Sequence, residues 1–444
     1  MSKNLLITFL IAKLVLWMLA SADAREPALK DVADLSGEPI SQSFAGSAAA
    51  TSADDDLLLL IPSIIADSFN TIPTPPPTPV ECSNVVTEDI EVNTRWTNTS
   101  SSCDYLIKPS PTNQRIPIQV FANLTIDPGV NIQFAPDSSL AFTDGGRLTA
   151  VGTASSRIRF ETQAPAQSLA HGLFFTSDSG LSTIRYADLV NLGKENGTSS
   201  HDAAIAGTRS SAGLSLRDTR ISGSQTSGVI LDELNITAFA NNEFFGNAEY
   251  GVEINAAQMP KLDVNSDYLG SRSANGRPFV RVVGVGSFNQ VEETGTWNAL
   301  NAPYWVRIKI DIKSGDITIA PGAQFVFEAG AGMDIEDSAS LQAVGTSAQP
   351  IIFTGEQKIR GFWDGLFFRD SVSTRNRLEN VEVSYGGGAF FDANVALFDS
   401  RVTISNSLIT DSDTWGVCVD NDSIGNLSSI TYRNNRLGNL TVNC

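Results

Sequence analysis

The chain has 444 residues, with 30 Lys and Arg against 49 Asp and Glu, a formal net charge of −19. A surface this acidic repels nucleic acid and anionic lipid, which argues against both as partners. The same carboxylates leave Ca²⁺ as a candidate ligand, although no compact loop of alternating acids marks a dedicated site and no other cofactor is implied.

Met1-Ser2-Lys3-Asn4, an apolar stretch from Leu5 to Ala20 and the small-residue exit Ala22-Asp23-Ala24 read as a cleaved export signal over residues 1–24. Lys13 interrupts the apolar stretch, which counts against a permanent span, and no cysteine stands at the cleavage point to carry a lipid anchor. The expectation is a secreted, cell-surface or periplasmic protein with no integral membrane span after signal cleavage. Residues 25–80 are rich in Ala, Ser, Asp and Pro, with an acidic run at Asp54-Asp55-Asp56 and a proline cluster from Pro73 to Pro79. They read as a disordered leader and stiff spacer, with Leu57-Leu58-Leu59-Leu60 as a minority candidate for a docking peptide.

Residues 81–117 read as an N-terminal capping segment. The four cysteines sit at the two ends of the expected fold. An even count in an exported chain favours disulfides, and proximity suggests Cys82 with Cys103 and Cys418 with Cys444, among three connectivities. Zinc is the weaker alternative, because there is no C-x-x-C and only His171 and His201 are available to assist.

From Ile118 the pattern changes to apolar segments of three to five residues separated by Gly, Asn, Asp, Ser and Pro. Leu124-Thr125-Ile126, Ile132-Gln133-Phe134 and Ile317-Thr318-Ile319 alternate as strands with one buried face do. A long unit is duplicated, over about 118–255 and 305–444. Pro128-Gly129, Ala150-Val151-Gly152-Thr153 and Gly172-Leu173-Phe174-Phe175 recur as Pro321-Gly322, Ala343-Val344-Gly345-Thr346 and Gly365-Leu366-Phe367-Phe368, each 193 positions on. Inside the unit, Gly228-Val229-Ile230-Leu231 returns after 23 residues as Gly251-Val252-Glu253-Ile254, with Phe244 as the equivalent of Ile221. Three short strands every 23 residues predict one coil of a parallel β-helix, in about 12–14 coils.

Asn241-Asn242 and Asn434-Asn435 mark matching turns, as does Asn406, and a structural role in left-handed corners explains them. Between the copies, Leu262-Asp263-Val264 and the run Phe279 to Val285 still look like strands, so the helix is expected to continue with a longer loop. Trp297 with Tyr304 precedes the second copy as Trp96 with Tyr105 precedes the first, which suits covers of the apolar column better than sugar platforms.

The order Trp, Tyr, P-G turn, L-x-A-V-G-T, I-x-F, G-L-F-F and N-N-x-F is similar to bacterial right-handed parallel β-helix repeat proteins of the cell envelope. The resemblance covers Trp96 to Cys444 and implies an all-β, pectate-lyase-like solenoid. It implies no reaction, because one fold hosts many functions.

Catalytic signatures of other β-helix enzymes match poorly. Arg307-Ile308-Lys309 lies on an expected alternating strand from Trp305 to Ile312, and the Asp-Asp run is in the leader. His171 corresponds to Asp364 in the second copy, as a turn residue would. Asp178, Asp188, Asp364 and Asp370 are candidates only in that a glycosidase needs two carboxylates about 5–9.5 Å apart, a spacing that coils stacked about 4.8 Å apart produce without function, and Arg185 with Asp188 or Arg217 with Asp218 are neighbours in sequence with nothing to stack acids above them. The resulting expectation assigns no catalytic residue. It is an exported non-enzymatic β-helix binding glycans or other cell-surface components on a rigid face. The alternatives are a polysaccharide lyase or glycoside hydrolase, and a passive structural spacer of the envelope.

Overall fold

The structure, a computed structural model, describes residues 81–442 apart from 100–101, 109–116, 164–168, 196–201, 208–209, 285–288 and 389–391. The expected signal, the leader with its Leu57-Leu60 element, His201 and Cys444 lie outside the described residues.

Among the described residues every strand pairing is parallel, and the longest helical element is the 3₁₀ segment Ala256–Lys261. One 13-stranded sheet runs from Ile118–Val120 to Thr431–Arg433. In the first half it is flanked by a seven-stranded sheet (Asn84–Val86 to Glu243–Phe245) and a six-stranded one (Thr94–Trp96 to Leu234–Ala240). In the second half a seven-stranded sheet (Gln290–Val291 to Gly438–Val442) and a six-stranded one (Gly295–Trp297 to Ile424–Ser428) take their places. Three sheets wound through about 12 turns make a parallel β-solenoid. The 23-residue coil is directly visible, because Val229 pairs with Val252 and Ile221 with Phe244.

Strand alternation builds the interior. Ile310 and Ile312, Phe325 and Phe327, and Met333 and Ile335 are fully buried, while the side chains between them point outward. Identical positions stack coil upon coil. Tyr304, Phe325 and Phe353 form a ladder with centroids 5.1 and 5.2 Å apart, and Phe327 lies 4.1 Å from Trp363. Each such contact contributes about 0.5–1.5 kcal/mol beyond burial. Trp96 stacks on Tyr105 at 4.6 Å, and Trp297 and Tyr304 are wholly buried, so these aromatics do cover the column.

The paired asparagines divide their work. Asn241 and Asn434 take left-handed backbone angles (φ 56° and 51°), while Asn242 and Asn435 point inward. The Asn242 amide donates to the Leu216 carbonyl at 3.0 Å and accepts from the Thr219 amide, tying its coil to the preceding one. Asn435 repeats this with Ile409 and Ser412. Gly172 and Gly365 occupy equivalent corners at φ 112° and 115°, where a Cβ would lie 2.4 and 2.6 Å from the carbonyl oxygens of Ala204 and Ala393.

Two expectations need correction. Leu262-Asp263-Val264 is not a strand, because the chain leaves the coil there; Val280–Val282 alone carries the long sheet across the junction, while both flanking sheets break. Trp305 to Ile312 is not one strand either. It splits into Tyr304–Val306 and Lys309–Ile312, which lie in different sheets on either side of a corner at Arg307-Ile308.

The junction also turns the second copy by one sheet. Asn131–Phe134 lies in a flanking sheet, yet its counterpart Gln324–Phe327 lies in the long one, and Ser139–Phe142 of the long sheet corresponds to Gly332–Glu336 of the second seven-stranded sheet. Cys82 and Cys103 are bridged, with Cα atoms 4.6 Å apart, and Cys418 is disulfide-bonded.

Candidate functional site: a stacked carboxylate cluster

The acids singled out in the sequence are distributed rather than gathered. Asp188 pairs with Arg157 at 2.8 Å and Asp218 with Arg185 at 2.8 Å, each clamp tying one coil to another. Asp178 accepts from Thr176 at 2.5 Å, which holds its carboxyl down at about 2, and Asp370 sits in a left-handed turn at φ 57°. Burial pushes the His171 imidazole below its usual value and the Asp364 carboxyl above its own. Of these groups only Asp178 faces a second carboxyl, that of Asp144, which their hydrogen bond raises; both stand in solvent on turns, with no buried acid between them.

Carboxylates do converge elsewhere, on the outer face of the second seven-stranded sheet. Lys309–Ile312, Gly332–Glu336 and Gly365–Arg369 are consecutive strands there, in a register that sets Asp311 against Asp334 against Phe367, and Glu336 against Arg369. Because Ile310, Ile312, Met333 and Ile335 point inward, Asp311, Asp334 and Glu336 must point outward. Stacked coils about 4.8 Å apart then bring the three together. One carboxylate oxygen from each lies within 4.8 Å of the others.

Their environments differ sharply. Asp334 is wholly buried; its Oδ2 meets Lys309 Nζ at 2.6 Å, while Oδ1 is sealed from solvent with no hydrogen-bond partner. Burial, only partly offset by Lys309, pushes this carboxyl up to about 6. Glu336 is also buried, which alone would raise it, but the Lys313 ammonium and the Arg369 guanidinium both pair with it and hold it below the ordinary range. Asp311 is half-buried and accepts from Asn289 Nδ2 at 3.1 Å. The group is thus one carboxyl poised to keep its proton beside one held ionised.

A divalent cation would find three oxygen donors in this group. Two of the three carboxylates already face cations, Asp334 with Lys309 and Glu336 with Lys313 and Arg369, so a metal would have to displace internal counter-ions.

Sequence reading passed over all three acids. The signal was present: Asp334 and Glu336 flank Ile335 at the spacing of two that shares a strand face, and Asp311 precedes Asp334 by the 23 residues of one coil. Lys309, the last residue of the Arg-Ile-Lys triplet, pairs with Asp334, and Arg307 pairs with Glu328 at 2.7 Å.

No family model matches this chain, and no curated protein does. Among solved structures it is similar to catalytic domains of a GH87 alpha-1,3-glucanase. One complex with tetrasaccharides aligns at 10% identity and a TM-score of 0.31, over 72% of this chain and 64% of that one. A complex with nigerose aligns at 11% identity and a TM-score of 0.30, over 72% and 63%. The chain therefore spans slightly under two thirds of the length of these structures, and a likeness this distant assigns no activity or substrate.

The expectation of a non-enzymatic scaffold is nevertheless corrected: the stacking of acids that the sequence was thought to lack is present at Asp311, Asp334 and Glu336.

Proposed function

We propose that the chain is an exported glycoside hydrolase of the bacterial envelope or secreted fraction, with Asp334 and Glu336 as its working pair. The observation that carries this reading is the opposite displacement of two neighbouring carboxyls, Asp334 up to about 6 and Glu336 down. Hydrolysis of a glycosidic bond needs this asymmetry. A neutral carboxylic acid protonates the leaving oxygen, and an ionised carboxylate attacks or stabilises the oxocarbenium carbon.

Asp334, whose ionisation burial disfavours, supplies the proton. Glu336, fixed by Lys313 and Arg369, supplies the charge, and Asp311 completes the negative field. Carboxyls of a retaining enzyme stand about 5–5.5 Å apart and those of an inverting one about 6.5–9.5 Å. One oxygen of Asp334 lies within 4.8 Å of one of Glu336, and the anomeric configuration of the first product tells which class the pair belongs to.

The test is a panel of neutral and acidic polysaccharides incubated with the purified full chain, with and without a chelator. New reducing ends are expected, with a loss of about 10²–10⁴-fold in Asp334→Asn and in Glu336→Gln in variants that remain folded at the assay temperature. Absence of cleavage across the panel, or undiminished cleavage by either variant, would remove the proposal.

A further inference from the structure

Round the corner from the carboxylates lies a concentration of arginine that the hydrolytic site does not use. Trp305, on the outer face of the long sheet, stacks on Tyr250 with centroids 5.6 Å apart. Three guanidinium carbons surround its indole: Arg307 at 5.3 Å, Arg277 at 5.9 Å and Arg281 at 6.0 Å from the ring centroid. Three guanidiniums gather on one ring in a chain of net charge −19, with Glu253, Glu328 and Glu249 as the acids beside them.

Internal partners absorb only part of it. Arg281 pairs with the buried Glu253, and Arg307 with Glu328 at 2.7 Å. Arg277 is exposed and has no ion pair among the described residues. Two further donors beside it are sealed from solvent without an acceptor, Trp305 Nε1 and Arg281 Nε, and Trp305 is only 6% exposed. Unpaired N–H groups around a planar platform call for an acceptor that the chain does not provide.

The fold does not require this arrangement. By register, Arg281 and Trp305 at the start of the second copy correspond to Val85 and Leu106 ahead of the first, where the same pair of strands forms with no charge. An internal stack would also have no need of the unpaired Arg277.

We propose that this corner is a subsite for an anionic sugar, one bearing a carboxylate or sulfate, held by Arg277 with Arg281 at the arginine-covered ring of Trp305. Resting on the hydrolytic reading above, it makes the cleaved glycan an acidic one. Placement supports the link: only Arg307 and Ile308 separate the strand of Trp305 from that of Lys309, whose ammonium holds Asp334. Guanidinium forks match carboxylate and sulfate oxygens bidentately, and salt screens the acidic remainder of the surface within about 8 Å.

The experiment measures equilibrium binding to the full chain by tryptophan fluorescence and calorimetry. The probes are a short oligouronide, the same oligomer with its carboxylates reduced to alcohols, and a sulfated oligosaccharide with its desulfated form. At least one anionic probe should bind about tenfold or more tightly than its neutral counterpart, and Arg277→Gln should erase that preference at unchanged melting temperature. Asp334→Asn should bind as the parent does, and binding without cleavage by the parent chain would retire the hydrolase and leave the subsite standing. Equal affinity for charged and neutral forms, no binding of either anion, or a preference that survives Arg277→Gln would show the arginines to be an internal stack and overturn the inference.

Discussion

The two copies of the repeated unit use the same scaffold to opposite chemical ends. Ser139–Phe142 and Gly332–Glu336 are equivalent strands, 193 residues apart, and each packs in register on its own Gly-Leu-Phe-Phe strand. The first copy presents Gln119, Ala141 and Thr143 where the second presents Asp311, Asp334 and Glu336. Alanine is what a nearly buried outward position takes when only folding matters; Ala141 is 4% exposed. A wholly buried aspartate with an unpartnered oxygen works against stability, and such residues are kept where chemistry needs them. The comparison teaches that the carboxylates are an addition to the solenoid, not part of what holds it together.

Substitution across the pair breaks the comparison most severely through activity. Asp334→Asn and Glu336→Gln should each lower glycan cleavage by about 10²–10⁴-fold, whereas Gln119→Ala and Thr143→Ala in the first copy should leave it unchanged in the same reducing-end assay. Next in size, Ala141→Asp places a carboxylate where no Lys309, Lys313 or Arg369 counterpart waits. It should cost roughly 3–5 kcal/mol in denaturant unfolding. Gly172→Ala and Gly365→Ala force the same clash at the same positive φ, so each should cost about 2–4 kcal/mol, and unequal losses would mean that the two corners are not equivalent.

The smallest effect has the opposite sign. Asp334→Ala, which installs the first copy's residue, should raise stability by about 1–3 kcal/mol at neutral pH while abolishing cleavage. The sign follows from the raised carboxyl. Ionising Asp334 is harder in the folded chain than in the unfolded one, so the native residue's penalty grows from about pH 3.8 and is complete above about 6. The gain from alanine should therefore vanish in acid. Glu336, held low, behaves conversely: its contribution is present above its unfolded value and is lost as pH falls through its depressed folded one.

The architecture was legible because its signals are local and periodic. Alternation in Ile132–Phe134, the 23-residue return of Val229 as Val252 and the φ-positive glycines state strand, coil and corner within a few residues of one another. The one-sheet turn of the second copy was not legible. It depends on how 256–301 crosses the junction, where Leu262-Val264 keeps a strand's composition without a neighbouring strand to pair with.

The site was half legible. Its positions followed from two periods already in hand, the spacing of two in Asp334 and Glu336 and the coil between Asp311 and Asp334. Burial was beyond reach, and burial is what separates Asp334 from solvated acids such as Asp178. The Arg277–Trp305 corner lay hidden for a related reason. Residues of three coils meet there, and the corner at Arg307-Ile308 reads in sequence as an unbroken strand.

The most direct test of the central claim is the pH dependence of kcat/KM for glycan cleavage by the full chain. If Asp334 is the acid, the rate falls on the alkaline side with an apparent pKa of about 6, and that limb disappears with the activity in Asp334→Asn. A profile flat through this region, or an alkaline limb that persists in the variant, would contradict it.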